Sequence, residues 1–300
     1  MATSHSSGNP ANRFLERLGR GGPLLWDGGM GSLLIAAGLR PGECPEAWNL
    51  DRPDAVRAIH RDYYAAGACA VLSNTFGANA ARLRDSHSPY GVAELNRAGV
   101  RLARECCPEG GLVAGDIGPS GVFLEPAGEA SEQELEELFF QQAQALVEAG
   151  ADLICLETFS DLRETRAALR AARRAGPLPV VAAMTFRAGR QGFVTMMGDP
   201  LATCLATLRA DGAAAVGANC TLSGPAFLAL AREIRACGPG PVFLEPNAGE
   251  PQPTPEGLRY PYGPEAFADA IGEALGFPDV ILGGCCGTTP AHIAALAARL

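Results

Sequence analysis

The chain has 300 residues, 47% of them hydrophobic, and a formal charge of −9 from 33 acidic and 24 basic side chains. That apolar content supports a large core, in one big domain or two ordinary ones. The acidic balance lacks the positive footprint that nucleic acid requires, and no apolar stretch approaches the length of a membrane span. Both partners are therefore excluded and a cytoplasmic location is expected.

The opening MATSHSSGNPAN is small and polar and lacks the apolar centre of a secretion signal, so residues 1–20 read as a disordered tail and lead-in. Short, nearly continuous apolar runs then recur: PLLWDGG (23–29), AVLSNTF (70–76), LVAGDIG (112–118) and LICLETF (153–159). PVVAAMTF (179–186), AAVGANC (214–220), PVFLEPNAG (241–249) and VILGGCC (280–286) complete the series. Continuous rather than alternating hydrophobicity marks strands buried on both faces, as in a parallel sheet.

Amphipathic helical patterns lie between them. PDAVRAIHRDYYAAGA (53–68) places Pro53 in a first turn, and SEQELEELFFQQAQALVEAGA (131–151) opens on the capping box Ser131–Glu134. The segments 161–176 and 199–213 each stop near a glycine, and Thr289 and Pro290 fit the N-cap and first turn of the last helix. From Asp27 to Cys285 the strand–helix unit repeats about every 37 residues. Eight such units predict a single (β/α)8 TIM barrel over residues 21–300. GGMGS after the first strand matches neither glycine-rich nucleotide fingerprint, which disfavours a doubly wound sheet.

Barrel active sites form at the C-terminal strand ends. Those ends carry Asp27, Asn74, Asp116, Glu157, Thr185, Asn219 with Cys220, Glu245 with Asn247, and Cys285 with Cys286. Any one of them can instead cap a helix or satisfy a loop. Of ten cysteines, Cys69 and Cys155 read as core filler, and the adjacent pair Cys106–Cys107 as structural.

Cys285 and Cys286 are different, because Gly283, Gly284 and Gly287 allow an irregular turn that aims both sulfurs at one point. With Cys220 on the same rim, three thiolates can converge on one zinc ion and leave its fourth position open. A vicinal disulfide and a cysteine–histidine nucleophile are the alternatives. A reducing compartment opposes the first, and none of His5, His60, His87 and His292 ends a strand, as the second requires. An open three-thiolate zinc suits a soft ligand such as a substrate thiol. Asp27, Asp116 and Glu157 can clasp an ammonium, and the N–H groups of Gly28 and Gly29 a carboxylate, so a small amino acid bearing a thiol is the expected ligand.

The ordered motifs DGGMG, NTFGAN, GDIGP, ETFSD, GANC, EPNAG and GGCCGTTP resemble the homocysteine S-methyltransferase family, and within it the homocysteine-binding barrel of the cobalamin-dependent enzymes. The resemblance covers roughly residues 20–300. It implies Zn2+ held by Cys220, Cys285 and Cys286, and homocysteine contacted by Asp27, Gly28, Gly29, Asn74, Thr75, Asp116, Glu157 and Asn219. It further implies methyl transfer to the zinc-bound thiolate, giving methionine. The implied donor is methylcobalamin or methylfolate carried on another chain, or S-methylmethionine. Gly77 stands where betaine-using members are expected to carry an aromatic residue, which argues against betaine. A second reading is a homocysteine-activating module that turns over only with separate folate- or cobalamin-binding domains, and a third is a redox sensor built on Cys285 and Cys286. The long connections 187–199 and 248–263 are expected on the catalytic rim, as lids or docking surfaces, with Arg187 and Arg190 near an anionic donor.

Overall fold

The computed structural model describes residues 10–190, 192–254 and 257–300. Eight parallel strands form the wall: β1 (Leu24–Leu25), β2 (Ala70–Leu72), β3 (Leu112–Ile117), β4 (Leu153–Phe159), β5 (Val180–Met184), β6 (Ala215–Ser223), β7 (Val242–Asn247) and β8 (Val280–Leu282). Each pairs with its sequence neighbour, and β8 returns to β1 with Leu24 opposite Ile281. A bridge between Trp26 and Ala70, with the Cys69 N–H donating to Leu25 O at 2.7 Å, joins β1 to β2 and closes the barrel.

The expected (β/α)8 barrel is thus observed, and its helices start where the sequence places them. Pro53 opens Pro53–Ala65, and Ser131 and Glu134 form a reciprocal capping box at Glu132–Glu148. The Asp161 carboxylate accepts from the N–H groups of Arg163 and Glu164 at the head of Leu162–Ala175. Thr289 caps Pro290–Ala297, with His292 as the reciprocal partner.

Strand side chains divide strictly by parity. Leu25, Val71, Val113, Ile154, Leu156, Val216, Val242, Leu244, Val280 and Leu282 point outward into the layer shared with the helices. Leu24, Trp26, Ala70, Leu72, Leu112, Ala114, Leu153, Cys155, Val181, Ala183, Ala215, Phe243 and Ile281 fill the barrel interior. Gly217 continues this inward set because a Cβ there would lie 1.8 Å from Phe243 O; the missing side chain lets β6 and β7 close.

The lead-in is structured, and its helix begins at Pro10, inside the dozen residues expected to be a disordered tail. Pro10–Gly19 is a helix whose Phe14, fully buried, enters the barrel floor edge-to-face with Trp26 (6.2 Å between centroids). Trp26 in turn meets Phe243 at 5.2 Å. From the same helix Arg13 pairs with the fully buried Asp152, which also takes Arg104 at 2.7 Å and the Val113 N–H at 2.8 Å. The remainder of the expected tail, residues 1–9, lies outside the described residues. Among the described residues no helix is long and apolar enough to cross a membrane.

Candidate active site

The inward parity that is apolar at the floor turns polar at the top of each strand. Leu112 and Ala114 are followed by Asp116, Leu153 and Cys155 by Glu157, Ala215 and Gly217 by Asn219, and Phe243 by Glu245. The uppermost layer is therefore a ring of hydrogen-bonding groups on a dry foundation, and a pocket of about 250 Å³ opens above it. Gly28, Gly29, Asn74, Asp116, Glu157, Cys220, Cys285 and Cys286 all line this pocket.

Cys220 and Cys286 have the wrong parity to face it, and the backbone corrects both. Cys220 adopts φ 58° and Thr221 φ 49°, at a register shift between Asn219 and Ser223 that swings the Cys220 sulfur over the rim. Such left-handed non-glycine residues cost roughly 1–3 kcal/mol each and persist where the surroundings impose them. After β8 the chain turns sharply: Gly284 N–H donates to Asp27 O (2.9 Å), Cys285 N–H to Pro246 O (2.9 Å), and Gly287 has φ 79°. The three sulfurs lie within 4.8 Å of one another, and Sγ of Cys285 and Cys286 are 3.9 Å apart.

Their protons are shared unequally. The Cys220 thiol is drawn down to about 3 because its thiolate accepts from both Cys285 and Cys286. Cys286 is pushed up to about 12 and Cys285 is also raised well above the usual thiol value, chiefly because each holds its proton toward Cys220. Cys44, Cys69, Cys106, Cys107, Cys155, Cys204 and Cys237 are free thiols outside this cluster.

Asn219 ties the sulfurs to the acidic ring. Its Nδ2 donates to Glu157 Oε2 and to Thr158 Oγ1 (2.7 Å) and lies 3.9 Å from Cys285 Sγ, while its Oδ1 accepts the Thr158 N–H at 2.8 Å. Thr158, at φ 65°, is itself bent into this arrangement. Burial, followed by the Cys220 thiolate, raises Glu157 to about 7. Asp27, Asp116 and Glu245 are also raised well above the carboxylate range, first by burial. Asp27 Oδ1, Asp116 Oδ1 and Glu245 Oε1 are buried with no hydrogen-bond partner. Buried, unpaired acceptors of this kind call for a donor, and for carboxylates a cationic one.

Three expected contacts sit behind the lining. Asp27 is buried beneath the pocket, its Oδ2 accepting the Leu72 N–H at 3.0 Å. Thr75, fully buried, donates to Asp116 O at 2.7 Å and supports the wall; Asn219 acts through Glu157 and Thr158. The Gly29 N–H, expected to meet a carboxylate, donates instead to Thr288 Oγ1 at 3.0 Å. Asn74 lines the pocket, but its Nδ2 is engaged by Pro45 O and Asn49 Oδ1, so it fixes the loop after β1.

Sequence reasoning missed Glu46, a buried lining residue whose Oε1 accepts the Gly77 N–H at 2.6 Å. A Cβ on residue 77 would lie 2.9 Å from that oxygen, so Gly77 is the seat of Glu46. The signal was weak, because Glu46 lies in a short 3-10 turn, Pro45–Ala47, far from any strand end.

The three convergent thiols on the rim form a group that could hold a soft metal ion, above buried carboxyls that each keep one oxygen without a partner. The sequence pattern of the homocysteine S-methyltransferase family matches residues 24–300, and the chain belongs to that family. Methionine synthase of Mycobacterium tuberculosis (strain H37Rv) is 35% identical over 92% of this chain, and that of Mycobacterium leprae (strain TN) 32% over the same share. The chain spans 24% of the length of each of these relatives. Among solved structures, the homocysteine methyltransferase MmuM from Escherichia coli is 26% identical. Its metallated form superposes with a TM-score of 0.79 over 97% of this chain and 100% of that one, its oxidized form with 0.80.

Proposed function

We propose that this chain binds Zn2+ through Cys220, Cys285 and Cys286, binds homocysteine in the adjoining pocket, and promotes transfer of a methyl group to its thiolate, giving methionine. The observation that carries the reading is the sulfur triad. With Zn–S bonds of about 2.3 Å, tetrahedral ligands stand about 3.8 Å apart, and the 3.9 Å between Cys285 and Cys286 fits without rearrangement. When bound, the ion supplies an open position at which a substrate thiol is deprotonated at neutral pH yet stays nucleophilic.

The chain's own groups do the rest. Cys285 and Cys286 release the protons they hold toward Cys220, so metal uptake strengthens as pH rises. Asp116, Glu157 and Glu245, which line the pocket, take the substrate ammonium, with Asp27 supporting them from beneath, and this relieves an otherwise uncompensated group of buried acids. Asn219 holds Glu157 and the Cys285 sulfur in fixed relation, so amine recognition and thiol placement share one support. The free thiols of the triad require a reducing compartment such as the cytoplasm. Residues 21–300 act as one homocysteine-binding domain.

The second reading, a module that needs a donor delivered by separate folate- or cobalamin-binding domains, has its own support. Among the large apolar side chains left exposed, Ile35, Phe123, Met196, Met197 and Leu258 all lie in connections that follow β1, β3, β5 and β7, on the pocket side. An apolar rim of this kind suits docking of a donor-bearing domain, and the relatives named methionine synthase are about four times longer than this chain. Zinc-loaded chain, homocysteine and either free methylcobalamin or S-methylmethionine, assayed for methionine, separates the readings. Turnover with S-methylmethionine supports a self-sufficient enzyme. Turnover only when donor domains are added supports the module, and no methionine under any condition refutes both.

A further inference from the structure

Each cysteine-bearing turn ends on a glycine in the left-handed region, and each of those glycines is covered by a tyrosine from one loop. Gly224 (φ 51°) closes the turn after Cys220, and a Cβ there would lie 2.7 Å from the Tyr262 ring and 2.8 Å from its hydroxyl. Gly287 (φ 79°) closes the turn after Cys286, and a Cβ there would lie 2.1 Å from Cγ of Tyr260. Both tyrosines belong to the connection that leaves β7.

That connection is fastened to the cysteine turn by a chain of hydrogen bonds. Cys286 N–H donates to Asn247 Oδ1 (3.1 Å), Ala248 N–H to Cys286 O (3.0 Å), and Tyr262 N–H to Ala248 O (2.9 Å). His292 Nε2 then donates to Tyr262 O at 2.9 Å. Between these anchors the two-stranded hairpin Gln252–Thr254 and Gly257–Arg259 projects outward, with Leu258 64% exposed.

We propose that Tyr260 and Tyr262 are positioning residues whose rings clasp the two cysteine turns against each other. The inference rests on the zinc reading above. The bulk of each ring also explains why both turns end in glycine: the φ requirement and the close approach coincide at the same atoms.

The test compares Tyr260→Phe, Tyr260→Ala and Leu258→Ala with the natural chain, by zinc competition against a chromophoric chelator and by the sulfur-to-metal absorption band of the cobalt-loaded protein. Loss of a group that fixes a metal ligand from outside costs roughly 10–100-fold in affinity. Tyr260→Ala, which removes the ring, is expected within that range with a shifted cobalt band, while Tyr260→Phe, which keeps it, and Leu258→Ala stay unchanged. Natural affinity in Tyr260→Ala overturns the inference, as does equal weakening by Leu258→Ala, which would make the effect one of general loop packing. If the natural chain itself takes up no zinc, the zinc reading fails together with this one.

Discussion

The two ends of this barrel are built from the same strands and follow opposite rules. At the floor, Phe14, Trp26 and Phe243 interlock at aromatic distances in a dry layer, and Arg13 and Arg104 satisfy the buried Asp152. At the top, Asp27, Asp116 and Glu245 are equally buried, yet each keeps one oxygen without a hydrogen-bond partner, and Cys220, Thr221 and Thr158 hold left-handed backbone. Apart from the Trp26 indole N–H, which has no hydrogen-bond partner, the floor satisfies what it buries. The top leaves groups unsatisfied that a ligand can satisfy, and the floor's surplus stability permits it.

Substitutions at the two ends sharpen that contrast. The largest effect is expected at the triad: Cys220→Ser removes a direct ligand, so zinc affinity should fall beyond the roughly 100-fold limit typical of outer partners. Methionine formation should fall with it, while the unfolding midpoint of the metal-free protein changes little. Phe14→Ala should do the reverse, costing about 3–5 kcal/mol in denaturant unfolding with zinc and homocysteine affinities retained. Loss of zinc binding in Phe14→Ala at temperatures where it stays folded would dissolve the division of labour.

A smaller effect, with opposite signs in two assays, is expected at Glu245. Glu245→Gln removes an acid whose ionisation burial opposes, and should stabilise the free protein by about 1 kcal/mol at alkaline pH, where that acid has to ionise. The same change should weaken homocysteine binding about tenfold, as expected for a lost hydrogen bond to a charged group. Calorimetric binding and chemical unfolding together check both signs; a destabilised variant with normal binding would place Glu245 among the structural residues.

The smallest expected effect is a pH slope in the metal-free, ligand-free chain. Glu157 is raised from 4.5 to about 7, so the folded state holds its proton more tightly than the unfolded state. Its contribution is fully present below pH 4.5 and is lost as pH rises through about 7. Stability should therefore decline across that window, and Glu157→Gln should flatten the decline. An increase in stability with pH in the natural chain, unchanged by the substitution, would contradict the assignment.

The strand series and its polar ends were legible because buried parallel strands read as unbroken apolar runs, and each ended visibly at Asp116, Glu157, Asn219, Glu245 or Cys285. Convergence of the three cysteines was legible for the same reason, since β6 and β8 lie on one rim. The Cys220 turn was not, because a left-handed cysteine carries no sequence signature comparable to glycine; of Gly283, Gly284 and Gly287, expected to free the Cys285–Cys286 turn, Gly287 is the one that takes a positive φ. The lead helix was hidden by polar neighbours, its burial depending on Phe14 and Leu18 within PANRFLERLG. Gly29 misled because a backbone donor shows nothing in sequence of who occupies it; here the partner, Thr288, is 259 residues away.

The most direct test of the site is zinc content per chain, with zinc-edge X-ray absorption recorded before and after homocysteine is added. One zinc per chain, bound by three sulfurs and gaining a fourth from homocysteine, is the expected result. No zinc after reduction and zinc-replete purification, or a sulfur count that homocysteine leaves unchanged, would contradict it.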